Sequence, residues 1–117
     1  MTRGEIWWAD LGPYHPMEQT GRRPVIIWQS DALTRVLQSV LVVPLTSNLD
    51  RARLAGTALI EPLDDGPPDR SVALAFQMRA IPRGCLRERI RSLTDSERAE
   101  LELATDEALG RAEPAER

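Results

Sequence analysis

The chain of 117 residues has one cysteine, one histidine, one phenylalanine, one tyrosine and no lysine. Each scarcity removes a class of protein. A lone Cys85 cannot close an internal disulfide, which fits a reducing compartment. One Cys with one His cannot assemble the usual zinc or haem ligand sets, so neither a metal nor another cofactor is expected. No apolar run is long enough to span a bilayer, and the first residues do not read as a secretory signal. A cytoplasmic protein with no membrane partner is the expectation.

Arginine supplies all 15 basic residues, and the formal net charge is −3. The average hides a split. Residues 1–92 carry 12 Arg against 10 acids, whereas residues 93–117 carry 3 Arg against 8 acids. A GC-rich coding sequence accounts for most of the arginine bias, yet guanidinium forks also suit phosphates and nucleobases. A nearly neutral body can hold a local basic groove, so the global charge does not decide the partner.

What is present is an apolar content of 42%, enough for one modest core in a single domain over 1–110 with a short polar tail over 111–117. The pattern predicts strands over Gly4–Leu11, Arg23–Gln29, Gln38–Leu45, Gly56–Glu61, Ser71–Ile81 and Leu86–Leu93. Gln38–Leu45 is nearly all apolar and reads as buried on both faces, while the charge alternation of Leu86–Leu93 reads as an edge. Ser30–Val36 has room for one helical turn, and Gly12–Arg22 is a long polar loop of the kind that binds or covers a site. Thr94-Asp95-Ser96-Glu97 is a capping box that opens a helix with Leu101, Ala104, Thr105 and Ala108 on one stripe and Gly110 as its stop. Short strands followed by one helix make a mainly β protein with a C-terminal helix, bent into a partly open barrel.

Two segments place polar groups at the ends of β-type runs: Glu18-Gln19-Thr20-Gly21-Arg22-Arg23-Pro24-Val25 and Val42-Val43-Pro44-Leu45-Thr46-Ser47-Asn48. A carboxylate, a guanidinium and a hydroxyl so placed suit metal-free chemistry on a phosphate. Together with Arg3-Gly4-Glu5-Ile6-Trp7-Trp8-Ala9-Asp10-Leu11 and Gln77-Met78-Arg79, in this order and spacing, they resemble the MazF/PemK toxin family from about Arg3 to Gly110. The resemblance implies an SH3-like barrel, a homodimer and a metal-independent, sequence-specific endoribonuclease. Its substrate would be single-stranded RNA and its inhibitor a cognate antitoxin.

For such an activity Arg23 is the first candidate, placing N–H donors on the phosphate. The resemblance also gives this arginine an acid role, but its pKa is too high for ready proton transfer, so electrostatic stabilisation is the role expected. Thr46 is the second catalytic candidate, as a hydroxyl donor. Glu18 is either the general base or a solvated loop carboxylate. Ser47 and Asn48 offer donors to phosphate or base but equally suit a turn, and Gln77 and Arg79 match a Gln-x-Arg of the family's late strand. Some relatives carry a carboxylate before that Gln, where this chain has Phe76, a residue expected in the core. His15 reads as a solvated loop residue, Arg51 and Arg53 as phosphate contacts or a charged loop, and the tryptophans as packing. Two alternatives stay open: a CcdB-like toxin that poisons gyrase, and an RNA-binding relative that does not cut.

Overall fold

The computed structural model describes residues 1–11 and 21–114. Its strands are β1 (Glu5–Asp10), β2 (Arg22–Ile27), β3 (Ser39–Thr46), β4 (Thr57–Ile60), β5 (Ser71–Leu74), β6 (Arg79–Pro82) and β7 (Leu86–Ser92); a short helix α1 (Asp31–Thr34) follows β2, and α2 (Asp95–Ala108) ends the fold. All pairings are antiparallel, in the order β4-β5-β3-β2-β1-β7, with β6 also on β3. The sheet is open, mainly β, and closed off by the C-terminal helix, as the sequence leads one to expect.

β3 organises this sheet. Its even-numbered Val40 and Val42 join one core cluster with Ala9, Val25 and Ile27, and its odd-numbered Val43 and Leu45 join another with Ile6, Ile26 and Trp28. Leu41 and Pro44 stay partly exposed, so the first half of the strand buries one face and the second half the other, where the sequence leads one to expect both faces buried throughout. Leu101 and Ala104 of α2 cover the second cluster, so the helix completes a core that the sheet alone leaves open. The capping box forms as expected: Thr94 Oγ1 accepts from the Glu97 amide at 3.1 Å, and Glu97 Oε1 accepts from the Thr94 amide at 2.9 Å.

One expected strand is two. Ser71–Ile81 breaks at a tight turn over Ala75–Gln77: the Ala75 amide donates to Gly56 O at 2.9 Å, the last rung of the β4–β5 ladder, and the Met78 amide then turns back to Ala75 O at 3.1 Å. The break lets β5 pair with the end of β3 at Leu45 and Thr46, while β6 pairs with its beginning at Ser39–Val42. A single straight strand could not follow both halves of so bent a sheet. The turn also moves Phe76 out of the core, where the sequence places it: the ring is 41% exposed and lies over Gly56, whose φ of +78° no L side chain adopts readily.

Glu5 supplies a pH-dependent tie between β1 and β7. Its carboxylate accepts from the Thr2 amide at 2.9 Å, Trp7 Nε1 at 3.0 Å and Arg89 Nε at 2.8 Å, with the side chain only 14% exposed. Burial alone would raise its pKa, but these donors together hold it at about 2. A depressed carboxylate contributes stability that is present above its ordinary value and lost as pH falls through the folded one. Urea titrations should therefore show stability declining from about pH 5 toward pH 2, with on the order of 3 kcal/mol from this group. Glu5→Gln should be less stable at pH 7 and flatter over that window; an unchanged slope would refute the assignment.

Candidate active site

The strands that carry the sequence candidates lie side by side. Across β1 and β2, Trp8 faces Pro24, Ala9 faces Arg23 and Asp10 faces Arg22. Across β2 and β3, Val25 faces Pro44, and the same register carried two residues further sets Arg23 level with Thr46. At this end the sheet opens into a cleft of about 280 Å³ that Arg23, Thr46 and Ser47 line together. Gly21, at φ +77°, accepts from the Leu11 amide at 3.1 Å and turns the chain into β2 just before the arginine pair. Among the described residues an added Cβ would meet nothing within 4 Å, and it is the positive φ that calls for glycine here.

Three arginines line the cleft, and their partners separate them. Arg22 pairs with Glu88, and Arg70 grips Glu61 through two bonds of 3.0 Å. Arg23 is exposed and has no hydrogen bond or ion pair among the described residues. Among the described residues it is the cleft arginine left without an anion partner. Opposite it, Thr46 Oγ1 accepts from the Asn48 amide at 3.2 Å. That bond occupies a lone pair and leaves the hydroxyl proton to be donated into the cleft. Asn48 in turn uses Oδ1 to accept from the Asp50 amide at 3.2 Å, capping the turn Leu49–Arg53. The sequence left Asn48 open between binding and turn; its side-chain oxygen serves the turn.

Gln77 and Arg79 lie elsewhere in the chain. Gln77 ends the Ala75–Gln77 turn and is exposed. Arg79 stands opposite Val42 and lines a separate cavity of about 220 Å³ with Leu11, Ile81 and Cys85. Burial lowers its pKa, against an opposing influence from Cys85. Arg51 and Arg53 are exposed on the turn after Thr46. Glu18 and His15 lie outside the described residues. Sequence reasoning missed Trp8, Arg22 and Arg70 as cleft residues. The doublet Arg22-Arg23 was a visible signal for one of them; the return of the 68–71 segment to the mouth of β3 had none.

A family model for the PemK-like, MazF-like toxin of type II toxin–antitoxin systems matches residues 2–109. The chain belongs to this toxin family. It is 33% identical over 110 residues to the endoribonuclease MazF of Staphylococcus saprophyticus, covering 94% of this chain and 92% of that one. It is 32% identical over 108 residues to MazF of Staphylococcus epidermidis, covering 92% and 90%. Among solved structures, an endoribonuclease in complex with its cognate antitoxin from a mycobacterial species superposes with a TM-score of 0.78 at 24% identity, over 97% of this chain and 99% of that one. MazF from Deinococcus radiodurans gives 0.73 at 25% identity, over 94% and 96%. The MazF-like fold thus carries the cleft at the joined ends of β2 and β3. Among the described residues no helix is long and apolar enough to cross a membrane, and no three His, Cys, Asp or Glu side chains cluster as metal ligands.

Proposed function

We propose that this MazF-family toxin is a sequence-specific endoribonuclease that cuts single-stranded RNA in the cytoplasm without a metal. It acts as a homodimer and is neutralised by a cognate antitoxin, as the mycobacterial structural relative is solved with its own. The carrying observation is that Arg23, unpartnered among the described residues, lines one cleft with a Thr46 hydroxyl that accepts from the Asn48 amide.

RNA brings its own nucleophile, so the protein needs three functions. The ribose 2′-OH loses its proton to a base and attacks the adjacent phosphorus. Negative charge then grows on the non-bridging oxygens, where Arg23 stabilises it with two N–H donors and Thr46 with its hydroxyl. The P–O5′ bond breaks and the 5′ oxygen takes up a proton. The products are a 2′,3′-cyclic phosphate and a 5′-OH. Glu18, which falls between β1 and β2 in the sequence, is the proposed base. Ser47, exposed beside Thr46, is the proposed further donor to the phosphate, and Asn48 holds Thr46 in place. Gln77 and Arg79 are proposed to meet the RNA away from the reacting phosphate.

The two staphylococcal relatives favour this reading over gyrase poisoning, since each is an endoribonuclease MazF. The test is end-group analysis of a cut RNA in EDTA. Cyclic phosphate and 5′-OH ends at an undiminished rate are expected. Ends bearing a 5′-phosphate, or a rate abolished by EDTA and restored by magnesium, would overturn the mechanism.

A further inference from the structure

The three tryptophans differ in how they are used. Trp28 is buried, 5% exposed; its indole N–H donates to Thr105 Oγ1 at 2.9 Å, and the Arg3 guanidinium lies 3.7 Å from its ring centre. Trp7 packs on the cluster around Val25 and donates to Glu5 Oε1 at 3.0 Å. Trp8 has neither tie. Among the described residues its N–H reaches no acceptor, and the nearest cation, Arg22, stands 5.8 Å from the ring centre, at the outer reach of a cation–π contact. A large amphipathic ring left half-buried with an idle donor, beside a reactive cleft, is underused by packing.

Trp8 and Arg22 line the cleft of Arg23 and Thr46 and also a second cavity of about 420 Å³, which among the described residues Glu88 on β7 lines with them. The two cavities thus share the Trp8 and Arg22 side chains, with the phosphate site on one side and a carboxylate on the other. Resting on the RNA reading above, we infer that the second cavity is a nucleobase subsite with a preference for guanine. The base next to the scissile phosphate stacks on Trp8, and Glu88 reads its edge.

The preference follows from the donors. An ionised carboxylate only accepts, and guanine alone offers it two adjacent N–H groups, at N1 and N2, on the Watson–Crick edge. Adenine, cytosine and uracil offer one donor there. The Arg22–Glu88 pair is exposed on both sides, so opening it costs little. Guanine then satisfies Glu88 while Arg22 turns to the RNA backbone, and neither charge is left alone.

The test uses short RNAs with deoxyribose at the scissile position, carrying each of the four bases in turn at each flanking position, and reads tryptophan fluorescence and Kd. Guanine at one flank should bind roughly tenfold or more tighter than the other bases. Glu88→Gln should erase that gap while changing affinity for the other three bases less than about threefold. Trp8→Ala should lose most of the quenching, and Trp8→Phe should keep the guanine preference. Equal affinity for all four bases at both flanks, a guanine preference that survives Glu88→Gln, or full quenching in Trp8→Ala would overturn the subsite. The exposed Glu88 variant carries the test if Trp8→Ala fails to fold. Because binding is read rather than cutting, the two readings fail differently. No binding of any RNA would overturn both; tight binding indifferent to Trp8 and Glu88 would overturn the subsite alone.

Discussion

Arg23→Ala should lower RNA cleavage by a factor on the order of 10³ while leaving the protein folded. The magnitude follows from what is removed: two charge-assisted donors aimed at oxygens whose charge grows only on the way to the phosphorane. The neighbouring arginines cannot replace it. Arg70 is gripped by Glu61 through two bonds, and Arg22 lies on the face of β2 that meets Trp8 and Glu88, where its proposed contact is the RNA backbone beside the base. The fold should not suffer, because Arg23 is exposed and ties nothing among the described residues; unfolding in urea should move by less than about 0.5 kcal/mol. Arg23→Lys should recover only part of the rate, since a point charge cannot make the paired contact. An alanine variant that cuts at the parental rate would remove Arg23 from the mechanism, whatever the remaining residues do.

What could be read in the sequence was set by local rules, and what could not was set by long-range pairing. The capping box at Thr94 and the apolar run through Val40, Val42, Val43 and Leu45 depend on neighbours a few residues away; the box appears as expected, and the run buries one face in each half of β3. Arg23 and Thr46 were legible as strand-end polar residues, but their being level depends on the β2–β3 register, which no local rule gives. The break at Ala75–Gln77 was invisible for the same reason: no Gly or Pro marks it, and it is set by where β5 and β6 pair along the distant β3. Phe76 followed the break outward. Glu88 looked like one charge in an alternating edge strand until β1 set it beside Arg22 and Trp8. Hydrophobicity predicts which residues are buried, while the polar residues of a site meet through pairings whose sequence separation carries no pattern.

A single deoxyribose at the scissile position should leave an otherwise all-ribose RNA uncut. Nothing else in the proposed site can replace the missing oxygen. Thr46 and Ser47 are proposed to give their hydroxyl protons to the phosphate oxygens rather than attack phosphorus, and Arg23 has no nucleophilic atom. Water could attack only as a bimolecular reagent. It would forgo the advantage of a nucleophile held on the same ribose as the phosphate it attacks, which for well-aligned intramolecular attack is about 10⁵ M or more in effective concentration. The loss should therefore be on the order of 10⁵-fold, beyond detection in an overnight gel assay. Binding should persist, because the phosphate and base contacts do not use the 2′ oxygen; the modified strand should compete with the natural one at a similar Kd. The position can be located by moving the deoxyribose along the strand, and a single site of protection at the cleavage point is expected. Cleavage that tolerates deoxyribose there would require a nucleophile from water or protein, and Arg23 and Thr46 would then be serving another reaction.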